Sequence, residues 1–420
     1  MLVFKFGGAS VKNADAVRNI VGILKDHKGD IVVVLSAMGK TTNSLERMID
    51  QYVSQNRSEL EKEVQKLKDY HFEIINDLFD SKDHPVYSDV ENTLADLDRE
   101  LNKQPSLSFD HDYDQIICFG ELLSSKIVTH FLQSKQIKAE WKDVRYAIKT
   151  SNVYREARVN WEMTRELVPK HFQFNKHRIL VTQGFLGSTI DNITTTLGRE
   201  GSDYTGAVLA HILKAKKLII WKDVPGVLNA DPKWFDDTVL LDMLSYRDAI
   251  ELAYYGASVI HPKTIKPLQN KNINLHVKSF KNPDAPGTVI SNIDYDKLIP
   301  SFIFKIEQVL IRILPKDFSF IAEDHLQTIF GILSENRVKI NLMQNSALKF
   351  MICVNNDKRK IPAIVEQLEE NFKVTYETGL ELITIRYFDN STIERVMINK
   401  ELIVEHRDEK NIQLVVRDKV

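Results

Sequence analysis

Short apolar runs and helical stripes alternate along the first two thirds of the chain. Apolar, β-branched runs at 3–6, 30–35, 115–118, 179–183, 218–222 and 274–277 predict strands. Between the first two, Ala14, Val17, Ile20, Val21 and Leu24 recur at helical spacing and predict a helix over 13–27. Strands alternating with helices predict an α/β fold, an open and mainly parallel sheet layered by helices, to about residue 290. Residues 44–104 interrupt this with long charged amphipathic helices broken near 81–85. That composition fits a lid over one end of the sheet, and equally a solvated structural hairpin.

The turn-rich stretch 281–287 and the Ile299-Pro300 pair predict a domain boundary near 290–302. Beyond it the pattern reads as strand 308–314, helix 324–336, strands 338–343 and 348–354, helix 361–371 and strand 374–377. That βαββαβ order is the ferredoxin-like α+β unit. Runs at 382–387, 391–398, 402–406 and 413–416 begin the order again and stop at βαββ. The expected organisation is therefore 1–298, 299–378 and a truncated repeat at 379–420.

A length of 420 residues allows two or three domains, and 43% hydrophobic with 27% charged residues is globular composition. Charge separates the function classes: 56 Lys and Arg against 58 Asp and Glu give −2, no field for nucleic acid or an anionic membrane. Small-molecule ligands are expected. The longest apolar runs are strand-sized, so no membrane span is expected, and the N-terminus reads as a short strand with an internal lysine rather than a signal peptide. Two distant cysteines, Cys118 and Cys353, suit a reducing cytoplasm and offer neither a disulfide framework nor a zinc site.

No two of the sixteen glycines are spaced two apart, which removes the Gly-x-Gly-x-x-Gly dinucleotide fingerprint. Gly39-Lys40-Thr41 imitates the end of a phosphate-binding P-loop, but Val34 stands where the first loop glycine belongs. What remains is a set of glycine-rich strand-to-helix junctions, the places where open α/β sheets gather ligands. Lys5-Phe6-Gly7-Gly8-Ala9-Ser10 offers bare backbone N–H groups and a lysine, suited to a phosphate or to a tight turn with a solvated lysine. At Gly198-Arg199-Glu200-Gly201-Ser202-Asp203, Ser202 or Asp203 can cap the following helix, Arg199 can hold a carboxylate, and a neighbouring acid can hold an ammonium, so the junction suits a zwitterionic amino acid. Residues 221–233 carry acids, lysines and a tryptophan in a turn-rich loop suited to a nucleotide with magnesium. Glu121 would open a helix, where a simple dipole contact explains it equally well, and His261 reads as a structural histidine at a turn.

These motifs, with Ser36-Ala37, Thr42-Asn43 and Tyr255 to Pro262, stand in the order found in aspartokinases. The chain resembles the monofunctional aspartokinases, which have the amino acid kinase fold followed by C-terminal ACT repeats. The resemblance implies transfer of the ATP γ-phosphoryl group to the β-carboxylate of L-aspartate, with Mg²⁺ bridging the phosphates. Lys5, Gly7, Gly8, Ser10 and Asp203 would serve the transfer. Ser36, Thr42, Glu121, Arg199, Gly201, Ser202 and Asp203 would bind aspartate, with Arg199 on the α-carboxylate and Glu121 and Asp203 on the ammonium. Lys222, Asp223, Leu228, Asp231, Lys233, Ser258 and Val259, with Lys5, Gly7 and Gly8, would surround ATP.

The chain departs from the family at Ala9, Glu200, Leu228 and Ser258, where Thr, Gly, Tyr and Lys are usual. Glu200 adds an acid beside Arg199, and Ser258 removes a cation from the nucleotide. The resemblance further implies a homodimer through the ACT repeats and feedback by an amino acid, lysine before threonine, at a stretch containing Asn341 and Ser346. Two other readings fit the residues: a non-catalytic amino-acid sensor with the kinase fold, and a related acylphosphate-forming kinase.

Overall fold

The computed structural model describes residues 1–176, 178–257, 260–293, 299–317 and 319–419. They form two compact units, Met1–Val227 with Leu240–Ile250 and Val259–Tyr295, and Leu228–Val239 with Glu251–Ser258 and Asp296–Val420.

The first unit contains β1 (Leu2–Phe6), β2 (Ile31–Leu35), β3 (Ala139–Lys142), β4 (Ile179–Gln183), the small hairpin β5 (Leu186–Ser188) and β6 (Thr194–Thr196), β7 (Lys217–Lys222), β8 (Met243–Ser245), β9 (Asn274–Ser279) and β10 (Thr288–Ser291). The main sheet runs β3-β4-β2-β1-β7-β9-β10-β8. Every pairing in it is parallel except β9 with β10. β2 and β4 are buried at every position, as continuous apolar runs covered on both faces should be. The chain leaves β1 towards one side of the sheet for β2 and returns to its other side for β7, so β1 is the point where strand order reverses. In such sheets that crevice, outside the carboxyl ends of the strands, takes the ligand.

The first helix runs Ala14–Lys25, capped by Asn13, whose side chain accepts the Ala16 N–H. The charged stretch forms helices Thr41–Val53, Arg57–Leu78 and Val86–Leu101. The strand expected at 115–118 is instead the end of helix Phe109–Ile117, and helix Phe119–Ser134 follows. A short run centred on two buried residues, Ile116 and Ile117, reads the same in a strand and in a packed helix. Among the described residues no helix is long and apolar enough to cross a membrane.

The second unit is built on one antiparallel sheet, β12-β13-β11-β14-β16-β15, from β11 (Ser301–Pro315), β12 (Ile340–Asn345), β13 (Phe350–Asn355), β14 (Phe372–Arg386), β15 (Lys400–Arg407) and β16 (Asn411–Asp418). Helices Glu323–Glu335 and Lys360–Glu369 complete the expected βαββαβ order. β11 and β14 are each 15 residues long, longer than the separate strands anticipated at 308–314, 374–377 and 382–387. They pair from Ser301 opposite Arg386 to Pro315 opposite Phe372, with register shifts around Gln308.

Both long strands are therefore shared. One half of each serves the core under the two helices, with Ile311, Ile329, Ile352 and Ile364 buried there. The other half serves a second core with Phe302, Ile383, Ile385 and Val396. The strand expected to be missing from the truncated repeat comes from Ser301–Lys305, at the start of the 299–378 span expected to be the first repeat. Its core is completed by Ala230 and Phe235 of the 228–239 segment, Phe235 standing 5.0 Å from Phe302 with the Arg395 guanidinium 4.1 Å over its ring.

Candidate functional site

Three parallel strands bring their carboxyl ends together in the first unit. β1 pairs in register with β2 and β7, so Phe6 stands beside Leu35 and Trp221. The Ser36 N–H donates to the Phe6 carbonyl at 3.1 Å, and the Gly184 N–H to the Leu35 carbonyl at 2.7 Å, fixing the loops that leave β2 and β4.

Lys5 is 7% exposed, and its Nζ lies 2.6 Å from Asp203 Oδ1 in the first turn of helix Gly201–Ile212. Lys222, at the end of β7, brings its Nζ to 3.5 Å from Asp203 Oδ2. Burial pushes the Asp203 carboxyl up, but Lys5 and Lys222 pull harder, and the net is a pKa below the ordinary value. One carboxylate therefore holds two lysines at the mouth of the crevice.

Only one of the two glycines beside Lys5 is required by space, since at Gly7, with φ −77°, a side chain would make an ordinary contact. At Gly7 a Cβ would stand 3.6 Å from the Lys5 Nζ, over the lysine head. At Gly8 it would meet the Ala37 and Gly39 carbonyl oxygens at 2.9 and 3.0 Å, so the chain can pass only without a side chain. Residues Gly8–Val11 form a single 3₁₀ turn, and Ser10 is buried with its Oγ 3.4 Å from the Trp221 carbonyl.

Glu121 opens helix Phe119–Ser134, as expected, and is 4% exposed. Its Oε1 accepts the Ala37 N–H at 3.2 Å, and its Oε2 is buried with no partner among the described residues. Burial raises its pKa to about 8. The Thr41 hydroxyl nearby is likewise buried and unpartnered. The two elements meet through Gly120, whose Cβ would lie 2.9 Å from Ala37 Cβ and 3.3 Å from Thr41 Cγ2. Buried polar atoms left without partners are uncommon and call for a ligand or water. Ser36 and Thr42 are both half-buried beside this space.

The 198–203 junction is arranged differently from the expectation. The residue before the helix is Glu200, in the left-handed conformation (φ 53°), and no side chain caps the helix; Ser202 and Asp203 lie within its first turn. Ser202 is buried against Gly184, where a Cβ would stand 2.4 Å from the Ser202 Cβ, and Gly201 is wedged against the Phe185 ring. Arg199 is exposed and has no partner among the described residues, which leaves its guanidinium available. His261 is the capping residue of helix Pro262–Gln269, as its turn position suggested.

Lys5, Gly7, Gly8, Ser10, Ser36, Asp203 and Lys222 thus gather at one end of the sheet. Asp223 is exposed just after β7. Leu228, Asp231 and Lys233 belong to the second unit, where Asp231 Oδ1 accepts the Lys233 N–H at 2.9 Å within an exposed turn. Ser258 and Val259 lie outside the described residues. In the second unit Asn341 is 7% exposed, its Oδ1 taking the Lys305 Nζ at 2.8 Å and its Nδ2 donating to Gln308 and Asn355. Ser346 sits apart at the exposed turn joining β12 and β13, hydrogen-bonded to the Lys349 carbonyl.

Sequence reasoning missed Asp114, and it read Thr41 only as the end of a false P-loop and Gly184 only as part of a flexible turn. Asp114 carried no motif; its role appears only when helix Phe109–Ile117 meets β6.

The profile of the amino acid kinase family matches residues 1–279, and the chain belongs to that family. Among curated relatives it is 28% identical over 400 residues to the lysine-sensitive aspartokinase 3 of Escherichia coli, covering 92% of this chain and 86% of that protein. It is 29% identical over 406 residues to the bifunctional aspartokinase/homoserine dehydrogenase 2 of Arabidopsis thaliana, covering 93% of this chain but less than half, 44%, of that longer protein. The structure matches Escherichia coli aspartokinase III solved with aspartate and ADP, at TM-score 0.85 and 26% identity over 99% of this chain and 96% of the other. The aspartate kinase of Clostridium acetobutylicum has the same fold, at TM-score 0.78 and 19% identity over 99% and 96%.

Proposed function

We propose that the protein is an aspartate kinase that transfers the γ-phosphoryl group of ATP to the β-carboxylate of L-aspartate, giving 4-phospho-L-aspartate and ADP. The observation that carries the reading is the Lys5 Nζ, held 2.6 Å from Asp203 against the Gly7–Gly8 turn at the end of the central strand. The Escherichia coli relative crystallised with aspartate and ADP supports the choice of both substrates.

A carboxylate oxygen is already a nucleophile at neutral pH, so the reaction needs no general base. Its barrier is the repulsion of two anions, which positioned cations and backbone N–H groups lower. Lys5 would meet the transferring group and Lys222 the nucleotide phosphates. Glu121, whose Oε2 has no partner among the described residues, would take the ammonium of aspartate, and Arg199 its α-carboxylate. Ser36 and Thr42 would line the space for the reacting carboxylate, and Leu228, Asp231 and Lys233 would serve the nucleotide.

Among the described residues no group of three or more His, Cys, Asp or Glu is placed to hold a metal, and Asp203 is engaged by two lysines. Magnesium fits here as an ion carried in by the nucleotide, with phosphate oxygens and water as its ligands. It would neutralise charge on the phosphates.

The second unit is proposed as a pair of ACT-like halves that sense an amino acid and join two chains. The edge strand β12, with Met343 and Leu348 exposed near it, supports a homodimer, and the lysine-sensitive relative makes lysine the first effector to test, at the Asn341 and Ser346 stretch. Two free, buried cysteines support a cytoplasmic setting.

Protein supplied with ATP, Mg²⁺, aspartate and hydroxylamine should yield aspartyl hydroxamate. ADP release with glutamate but not with aspartate would assign it to another acylphosphate-forming kinase. Amino-acid binding with no turnover would make it a sensor.

A further inference from the structure

The chain leaves β1 and β2 through two turns that touch, and one side chain from the charged helical stretch fastens both. The first runs from Gly7 to Lys12 and the second from Ser36 to Lys40. They are joined backbone to backbone: the Ser36 N–H donates to the Phe6 carbonyl at 3.1 Å, and the Gly39 N–H to the Gly8 carbonyl at 3.0 Å. The far end of the first turn is held by Tyr70 of helix Arg57–Leu78, whose hydroxyl donates to the Lys12 carbonyl at 2.6 Å. The same hydroxyl lies against the second turn. Gly39 has φ +55°, and a Cβ there would stand 2.5 Å from the Tyr70 hydroxyl oxygen and 3.5 Å from Lys12 Cβ. The glycine of the false P-loop is thus required twice, by its backbone angle and by the tyrosine oxygen that fills the place of its side chain.

Helix Arg57–Leu78 is placed to deliver that hydroxyl. Leu60, Glu63, Leu67, His71 and Ile74 are buried at helical spacing, and Tyr70 follows Glu63 by seven residues, two turns along the same face. Glu63 Oε2 accepts the Arg47 Nε–H at 3.1 Å, which ties in helix Thr41–Val53, the continuation of the second turn. At the other end the Asp77 carbonyl accepts the Arg18 guanidinium of helix Ala14–Lys25, which follows the first turn. One helix therefore holds both helices that leave the turns, and Tyr70 holds the turns themselves.

We propose that Tyr70 is a positioning residue for phosphoryl transfer: by pinning the Lys12 carbonyl and filling the space at Gly39, it fixes the Gly7–Gly8 backbone N–H groups where charge develops. Backbone donors lower a barrier only when they are in place before the charge forms, and a misplacement of about 1 Å costs up to about a hundredfold. On this account the helices of 41–101 brace the site and are not a lid over it. The inference rests on the reading of the Gly7–Gly8 turn as the place of transfer, and adds to it a residue from outside the glycine-rich junctions.

The test is steady-state kinetics of the full chain as parent, Tyr70→Phe, Gly39→Ala and the double variant, giving kcat and the KM of aspartate and of ATP, with a thermal melt of each. Tyr70→Phe keeps the ring and its packing and removes only the oxygen. Its kcat should fall about tenfold, with both KM values within about twofold of the parent and the melting temperature within about 3 °C. A hydroxyl that served the fold alone would move the melt and leave kcat as it was. Gly39→Ala should lower kcat by at least about threefold less in the Tyr70→Phe background than in the parent. There the methyl group meets the ring carbon at 3.5 Å and no longer the oxygen at 2.5 Å. A Tyr70→Phe kcat equal to the parent's overturns the proposal, as does a loss that appears in KM, and Tyr70→Phe decides the matter even where Gly39→Ala fails to fold. Equal Gly39→Ala losses in the two backgrounds overturn it as well, since the turns would then not meet at the hydroxyl. A parent with no aspartate-dependent release of ADP overturns the functional reading and this inference with it, whereas an active parent with an unaffected Tyr70→Phe overturns this inference alone.

Discussion

Asp114, on helix Phe109–Ile117, accepts both the backbone N–H and the hydroxyl of Thr196, at 2.8 and 2.7 Å, across 82 positions of sequence. The same carboxylate takes the Arg155 N–H at 3.0 Å. It ties β6 to the helical layer three residues before Arg199, and so sets where the proposed substrate loop begins. Asp114→Ala would leave the buried Thr196 N–H unsatisfied, at about 1–3 kcal/mol, and would free the part-buried Arg155 N–H. We expect a stability loss of about 2–5 kcal/mol by chemical denaturation and a raised KM for aspartate. An unchanged KM in the destabilised variant would separate Asp114 from the substrate loop. Burial also lifts this carboxyl to about 6. Its contribution to stability is therefore full below its unfolded value, roughly pH 4, and is lost as pH rises through about 6, a slope that Asp114→Asn should flatten.

In its proposed role as the ammonium ligand, Glu121 would set a pH dependence on substrate. Its carboxyl, pushed up to about 8, is mostly protonated at pH 7, yet it must be ionised to hold an ammonium. Aspartate binding should release a proton, and KM for aspartate should fall as pH rises towards about 8, by at most about tenfold per pH unit, then level off. Glu121→Gln should raise KM and remove the dependence. Steady-state kinetics from pH 6 to 9 decide it, roughly the span on either side of the shifted value. The sign for folding is the opposite: a raised carboxyl stabilises below its ordinary range, and that stability is lost as pH climbs through about 8.

Gly8 has no room for a methyl group. Gly8→Ala would place a Cβ 2.9 Å from one backbone carbonyl and 3.0 Å from another, atoms that cannot rotate away. The turn beside Lys5 must shift, at about 1–3 kcal/mol, and activity should fall more than tenfold with the fold intact by circular dichroism. Retained activity would show that the turn does not cradle a reacting group.

Arg199 is exposed and unpaired among the described residues, so Arg199→Ala should change stability by no more than about 0.5 kcal/mol. Its effect should fall on KM for aspartate, by ten- to a hundredfold, equivalent to about 1.5–3 kcal/mol for a charge-assisted hydrogen bond. Unaltered aspartate saturation would remove Arg199 from the substrate site.

Much of the catalytic half was legible because its signals are local. β1, β2, β4 and β7 declare themselves as apolar runs, and Gly8, just after β1, stands where the backbone has no space for Cβ. Residues 115–118 misled because a short apolar run does not state its period. The second unit was harder, since a continuous 15-residue β14 reads as two strands when its exposed middle breaks the apolar pattern. The Ser301–Lys305 strand and the 228–239 segment could not be assigned to that sheet from local pattern, because long-range pairing put them there. The direction of Glu200 was equally hidden. Sequence showed an acid beside Arg199, but not that its Oε2 is shut off from water, which the surrounding fold decides.

The claim on which the account rests is that the Lys5 charge meets the phosphoryl group in flight. The direct measurement is the separate kcat and aspartate KM of Lys5→Ala. The account predicts kcat lower by at least about a hundredfold, with KM for aspartate within about threefold of the parent. A Lys5→Ala protein that turns over aspartate at the parent rate would contradict it.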